Sequence, residues 1–195
     1  TSDFSTMVAE MKPLQPDAVL SSCYFEEAIL LTRQLKEQGV SPKMIAYIGP
    51  TGIPDFQKSL GKDAEGIIGH DWWTTATLWK DPIFGTGQDY AKLFSEKYGI
   101  QPTYHAAAAT ATGLALQFAI ENAGTIENEA VRQALEDLEV ETFFMPINFG
   151  EVDDMVNINI AGESLPVQIQ NGEVKTLYPA QIKQADPIFP KPDWK

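Results

Sequence analysis

Three short apolar runs, each preceded by a helical pattern, limit this chain more than any other feature. They are the run at 17–21 in "PDAVLSS", "MIAYI" at 44–48 and the run near 66–71 in "EGIIGHD". Before the first, Phe4, Met7, Val8 and Met11 recur at helical spacing, with Asp3 or Ser5 available as a cap and Pro13 as a stop. Before the second, "YFEEAILLTRQLKEQG" puts Ala28, Leu31 and Leu35 on one face and Glu26, Arg33 and Lys36 elsewhere. Gly39 suits the position just past that helix, and Pro42 forbids continuation. A short helix around 54–60 precedes the third run. Strands that alternate with helices and show no polar alternation predict parallel βαβ units, with the strands buried on both faces.

The pattern changes after residue 75. A loop rich in Pro and Gly leads into a helix at about 86–98. Next, Tyr104, Ala107, Ala108, Ala111, Leu114, Ala115 and Phe118 share one helical face, which Gly124 closes. A further helix follows, with Thr125 as candidate cap and Val131, Leu135 and Leu138 as its stripe. From residue 140 the chain turns β-like: "VNINI" (156–160) and "PVQIQ" (166–170) alternate, "NG" at 171–172 marks a hairpin, and "EVKTLYP" answers it. The closing "DPIFPKPDWK" reads as an extended strap.

Composition excludes several classes. The 195 residues carry a formal charge of −13, which disfavours nucleic acid and anionic lipid. No apolar run reaches the length of a membrane span, and "TSDFSTM" is no signal peptide. The single cysteine, Cys23, precludes an internal disulfide and reads as a structural thiol. Only His70 and His105 could join a metal site, and their spacing fits none, so neither a metal nor another cofactor is expected. There is no GxSxG; "GTGQDY" is not a dinucleotide fingerprint, "LGKD" is not a phosphate loop, and "EVDD" (151–154) reads as hairpin surface. No catalytic residue is expected, and the chain does not read as an enzyme.

Open parallel sheets bind ligands beyond the carboxyl ends of their strands. The loops that leave the three strands in that sense are "SSCYFEEA", "GPTGIP" and "HDWWTT". They bring together hydroxyls and aromatics, among them Tyr24, Phe25, Thr51, Trp72 and Trp73, with Gly52 in the rigid Gly/Pro platform. Such a set suits binding better than reaction. Tyr24 and Phe25 could equally be core packing, and Thr51 a helix cap. Extended backbone would send Trp72 and Trp73 to opposite sides, so only one should line a cleft. Tyr104 opens the Ala-rich helix and is a further candidate.

The order and spacing of "KPLQPDAVLSSCYFEEAILLTRQLKEQG", "YIGPTGIPDFQKSLGKDAEGI", "YHAAAATATGLALQFAIENAG", "VNINIAGESLPVQIQNGEVKTLYP" and "FPKPDW" resemble the substrate-binding proteins of ABC transporters of the branched-chain amino acid (leucine/isoleucine/valine-binding) type. That resemblance covers nearly all of the chain. It implies an α/β architecture, the C-terminal half of a type I periplasmic-binding fold, with a parallel sheet flanked by helices, a helical pair belonging to the N-terminal lobe and a C-terminal β-hairpin. Residues 1–100 would form the C-terminal ligand-binding lobe, 101–150 return to the N-terminal lobe, and 151–195 cross back. The implied function is capture of a small organic solute by two-lobe closure, outside the cytoplasm in the periplasm or extracellular space, with room for a lipid anchor on the full-length protein. The implied partners are a small-molecule ligand, an ABC permease, and a missing N-terminal half or another chain docking on 102–138. In amino-acid-binding members the loop matching "GPTG" carries an acid that holds the ligand's ammonium; Thr51 stands there, which favours an aromatic or otherwise apolar carboxylate. A ligand-sensing receptor domain of the same fold is the alternative, and an α/β hydrolase is disfavoured by the absent nucleophile motif.

Overall fold

A computed structural model describes residues 3–194. Helix α1 (Ser5–Met11) runs into a tight turn at Lys12–Leu14, and Asp3 accepts a hydrogen bond from the Ser5 amide at 2.8 Å. Strand β1 (Ala18–Ser21), helix α2 (Phe25–Glu37), strand β2 (Met44–Ile48), helix α3 (Pro54–Leu60) and strand β3 (Ile68–Asp71) follow, as the sequence predicts. Helix α2 ends where Gly39 turns left-handed, with φ of 69°. Pro54 opens α3 at a position that needs no amide donor.

After Asp71 the chain enters a second compact unit, which it leaves at Ser164. That unit holds the small strands β4 (Lys80–Asp81) and β5 (Gly85–Thr86), helices α4 (Gly87–Tyr98), α5 (Tyr104–Ala123) and α6 (Asn128–Glu136), and strands β6 (Glu139–Glu141), β7 (Pro146–Val152) and β8 (Met155–Asn159). Strands β9 (Leu165–Gln170) and β10 (Glu173–Thr176) then return to the first unit. The division falls at 71/72 and 164/165, so α4 lies with α5 rather than with the first sheet.

The first unit is built on a mixed sheet of order β1-β2-β3-β9-β10. Its first three strands are parallel, in the register Leu20↔Ala46↔Ile68, and β9 runs antiparallel beside β3, with β10 beyond it. Val19, Ile45 and Tyr47 bury against Val8, Leu31, Leu35, Phe56 and Leu60 of the three helices. Tyr47 and Thr32 share a buried hydroxyl hydrogen bond of 2.9 Å, and Thr32 also donates to the Ala28 carbonyl. The expectation of strands buried on both faces is corrected here. α1–α3 cover one face, so Leu20 and Ile48 on the other face remain exposed. The closing strap lies along this unit. The Lys191 amide donates to the Lys43 carbonyl, the Trp194 indole donates to the Asp63 carbonyl, and the Lys191 ammonium sits 3.9 Å above the Trp194 ring.

The second unit has its own core. Tyr90 of α4 stacks on Phe143 with centroids 4.0 Å apart, and Phe84 and Trp73 meet that pair edge-on. Thr86 and Asp89 form a reciprocal cap at the start of α4, and Thr103 caps α5. Thr125 accepts from the Glu127 amide, one step ahead of α6, whose first flanking residue is Glu127. "VNINI" pairs with β7 in a separate three-stranded sheet, and the "NG" hairpin joins β9 to β10. Removing the Phe143 ring leaves a void under three other aromatics. Phe143→Ala should lose about 3–5 kcal/mol in urea denaturation, whereas the exposed Leu78→Ala should change stability by less than about 0.5 kcal/mol; equal losses would refute this core.

Candidate functional site

The carboxyl ends of β1, β2 and β3 lie side by side, so the loops that leave them share one rim of the first unit. The sequence places Tyr24, Phe25, Thr51 and Gly52 on these loops. Tyr24 is the residue that precedes α2; its carbonyl accepts from the Ala28 amide and its ring is 81% exposed. Phe25 is half-buried against the core. On the open sheet face a hollow of about 340 Å³ lies between Leu20, Ser22, Ile48, Ile68 and His70.

Thr51 behaves differently from the expectation of a wall hydroxyl. It is fully buried, and it does not cap α3, whose first flanking residue is Ile53. Its side chain lies on Gly69 of β3, so close that a β-carbon there would come within 2.2 Å of the hydroxyl oxygen. Asp71 makes the reciprocal contact. A β-carbon on Gly52 would fall 1.9 Å from its carboxylate, so the carboxyl rests directly on the loop backbone. Two glycines therefore let the β2–α3 loop and the end of β3 interlock, each with a polar side chain against the other's bare α-carbon.

Asp71 is the residue that sequence reasoning missed. It is 4% exposed, and neither its Oδ1 atom nor the Thr51 hydroxyl has a hydrogen-bond partner. Among the described residues no ion pair reaches it. Burial alone pushes its carboxyl up to about 7. Asp81 in the second unit, almost as deeply buried, is satisfied by the amides of Ile83, Phe84 and Phe143. The available signal was an acid closing an apolar strand, in "EGIIGHD".

The remaining candidates belong to the second unit. Trp72 is 42% exposed at its first position. Trp73 is buried among Tyr90 and Phe143, with its indole donating to the Phe143 carbonyl at 3.2 Å. Tyr104 packs beside that core, its ring tilted 30° to that of His105 with centroids 3.9 Å apart. Cys23 shares a hydrogen bond with Ser21 at 2.8 Å. No group of three or more His, Cys, Asp or Glu among the described residues could hold a metal ion.

A sequence model described as "Periplasmic binding protein" matches residues 1–161. The chain belongs to that family. It is 24% identical over 182 residues to the Leu/Ile/Val-binding protein homolog 7 of Brucella suis, covering 92% of this chain and 45% of the relative. The chain thus spans about half the length of the curated relatives it matches. Among solved structures it is similar to the branched-chain amino acid transporter substrate binding protein LivJ of Streptococcus pneumoniae in complex with isoleucine, with TM-score 0.72, 17% identity and coverage of 97% of this chain and 49% of that one. It is also similar to an R. palustris ABC transporter solute binding protein in complex with benzoate, with TM-score 0.69, 16% identity and coverage of 91% and 46%. These likenesses show the type I periplasmic-binding fold, and all are to binding proteins. No helix among the described residues of this family member is long and apolar enough to cross a membrane.

The buried acid gives this family member a pH signature. A carboxyl that binds its proton more tightly when folded stabilises the fold fully only below the unfolded value. Stability is lost as pH rises from the ordinary 3.8 to the folded value of about 7. Asp71→Asn should therefore gain on wild type across that window, by about 4 kcal/mol at its upper end, in chemical denaturation. A difference between the two proteins that does not change with pH would contradict this account of Asp71.

Proposed function

We propose that the protein containing this chain is the extracytoplasmic solute-binding component of an ABC importer, and that the first unit is one jaw of its trap. The observation that carries this reading is the geometry of the connection between the two units. The chain leaves the first unit at Asp71 and re-enters it at Leu165, and these two residues are direct partners in the β3–β9 pair. Two adjacent crossings make a hinge, and the loops beside them form the rim where an open α/β sheet receives a ligand. A solute that touches both jaws only when they close stabilises the closed form, which a membrane permease then reads.

The solute is a small organic carboxylate with an apolar or aromatic body. Exposed Tyr24 suits such a body, and the hollow between Leu20, Ile48 and Ile68 is apolar. The names of the similar structures span both kinds of body, isoleucine in one and benzoate in the other. The rest of the full-length protein supplies the second jaw. It docks on α5, whose outward positions Ala109, Thr112 and Gly113 are exposed and small enough for close approach, with Leu116 exposed beside them. The periplasm or the outer surface is the setting.

A thermal-shift screen of the protein expressed from its complete reading frame tests this, with apolar amino acids and aromatic acids as probes. Stabilisation follows RT ln(1 + [L]/Kd), so a ligand at a hundred times its Kd adds about 2.7 kcal/mol. At least one apolar carboxylate should stand clear of the panel. A flat response to every probe, or turnover of one, would defeat the reading.

A further inference from the structure

We propose that β1 is an inner strand of the full-length protein: a parallel strand of the same polypeptide pairs with its free edge, and the crossover helix that follows that strand covers the open sheet face beside it. The two edges of the first sheet are built differently. At one edge, β10 carries Glu173 and Lys175, and the closing strap engages its last residue. The Thr176 amide donates to the Gln184 side chain at 3.0 Å, and the Gln184 amide donates back to the Thr176 carbonyl at 2.8 Å. Charge and a covering segment keep an edge from pairing with another strand. At the other edge β1 reads Ala18-Val19-Leu20-Ser21, with no charge, no proline and no bulge against β2. Among the described residues no strand lies beyond it.

The open face shows the same asymmetry. Leu20, Ala46, Ile68 and Gln168 are direct partners across four strands, so their side chains form one row. The Gln168 end is covered by the strap: Gln168 donates to the Ile188 carbonyl, and Gln170 donates to the Asp186 carbonyl. The other end is bare, with Leu20 73% and Ile48 56% exposed. Handedness says what covers it, because crossovers between parallel strands are right-handed in about 98% of cases. α2 and α3 carry the chain from β1 to β2 and from β2 to β3, and both pack on the face with Val19, Ile45 and Tyr47. A crossover that winds the other way, outward from β1, lays its helix on the opposite face, where Leu20 and Ile48 are. α1 packs with α2 and α3, so the parallel strand that feeds it also lies on the free side of β1. The length suffices. The 182 matched residues are 45% of the Brucella suis relative, and a strand-helix-strand unit takes about 30. The helix roofs the hollow over the sheet and leaves it open at the rim, so it shapes the solute's recess rather than filling it.

The test uses the protein from the complete reading frame, without solute. In an edge strand alternate amides point away from the sheet and exchange fast; in an inner strand every amide is bonded. Residue-resolved hydrogen exchange should find all four amides from Ala18 to Ser21 protected at least ~100-fold, at every protein concentration. Ile48→Glu should lower the melting temperature by at least ~5 °C, and Leu78→Glu, exposed in the second unit, by less than ~2 °C. If Ile48→Glu does not fold, the exchange pattern decides alone. Alternate amides of β1 at solvent rates, or equal losses from the two variants, would overturn the proposal. So would protection that fades as a dimer dissociates on dilution, which would give the edge to a second copy. None of these readouts needs a solute, so their failure leaves solute capture standing, and a flat solute screen leaves this inference standing.

Discussion

Everything in this architecture depends on the pairing of β3 with β9. The three parallel strands are local: each follows its helix and lies beside its predecessor. β9 comes from far along the chain and runs the other way, and it closes the sheet only after the second unit has been completed. Its grip is not apolar alone. Gln168 is fully buried at the middle of β9; its amide donates to the Gly66 and Ile188 carbonyls, and its oxygen accepts from the Ile188 amide and from Gln170. Such a network is stable because every arm is satisfied, and it ties the returning strand to the segment that enters β3 and to the closing strap. The same pairing sets Asp71 opposite Leu165, so the way out of the first unit and the way back are neighbours.

Most of the first unit was legible in the residues. The apolar runs, the glycine after α2 and the proline that opens α3 each report a local backbone preference, and local preferences survive into the fold. Burial of the strands was not legible. "AVL" and "MIAYI" are apolar without polar alternation, which is the signature of strands covered twice, yet the helices of this chain cover only the face with Val19, Ile45 and Tyr47. Composition tells what a face could tolerate and not what lies on it. β7 was likewise hidden, because "PINFGEV" mixes proline, glycine and an acid; it is a strand through its pairing with β6 and β8.

The candidate site shows the same limit more sharply. The rim loops were found from the rule that ligands sit beyond strand ends, and Tyr24 and Thr51 do occupy those loops. Which way Thr51 turns depends on a gap in a different strand, the missing side chain of Gly69, and no local pattern carries that information. Asp71 escaped notice for the same reason. It looked like the polar end of a strand, and its significance comes from what is absent around it. Trp72 and Trp73, adjacent in sequence, lie beyond the end of β3, one exposed and one sunk in an aromatic core.

The trap proposed above requires the two adjacent crossings at Asp71 and Leu165 to act as its hinge. Small-angle scattering from the protein of the complete reading frame, recorded with and without its best-stabilising solute, measures closure directly. The account predicts a smaller radius of gyration at saturation. Scattering that stays the same while calorimetry on the same sample shows a full binding site would contradict it.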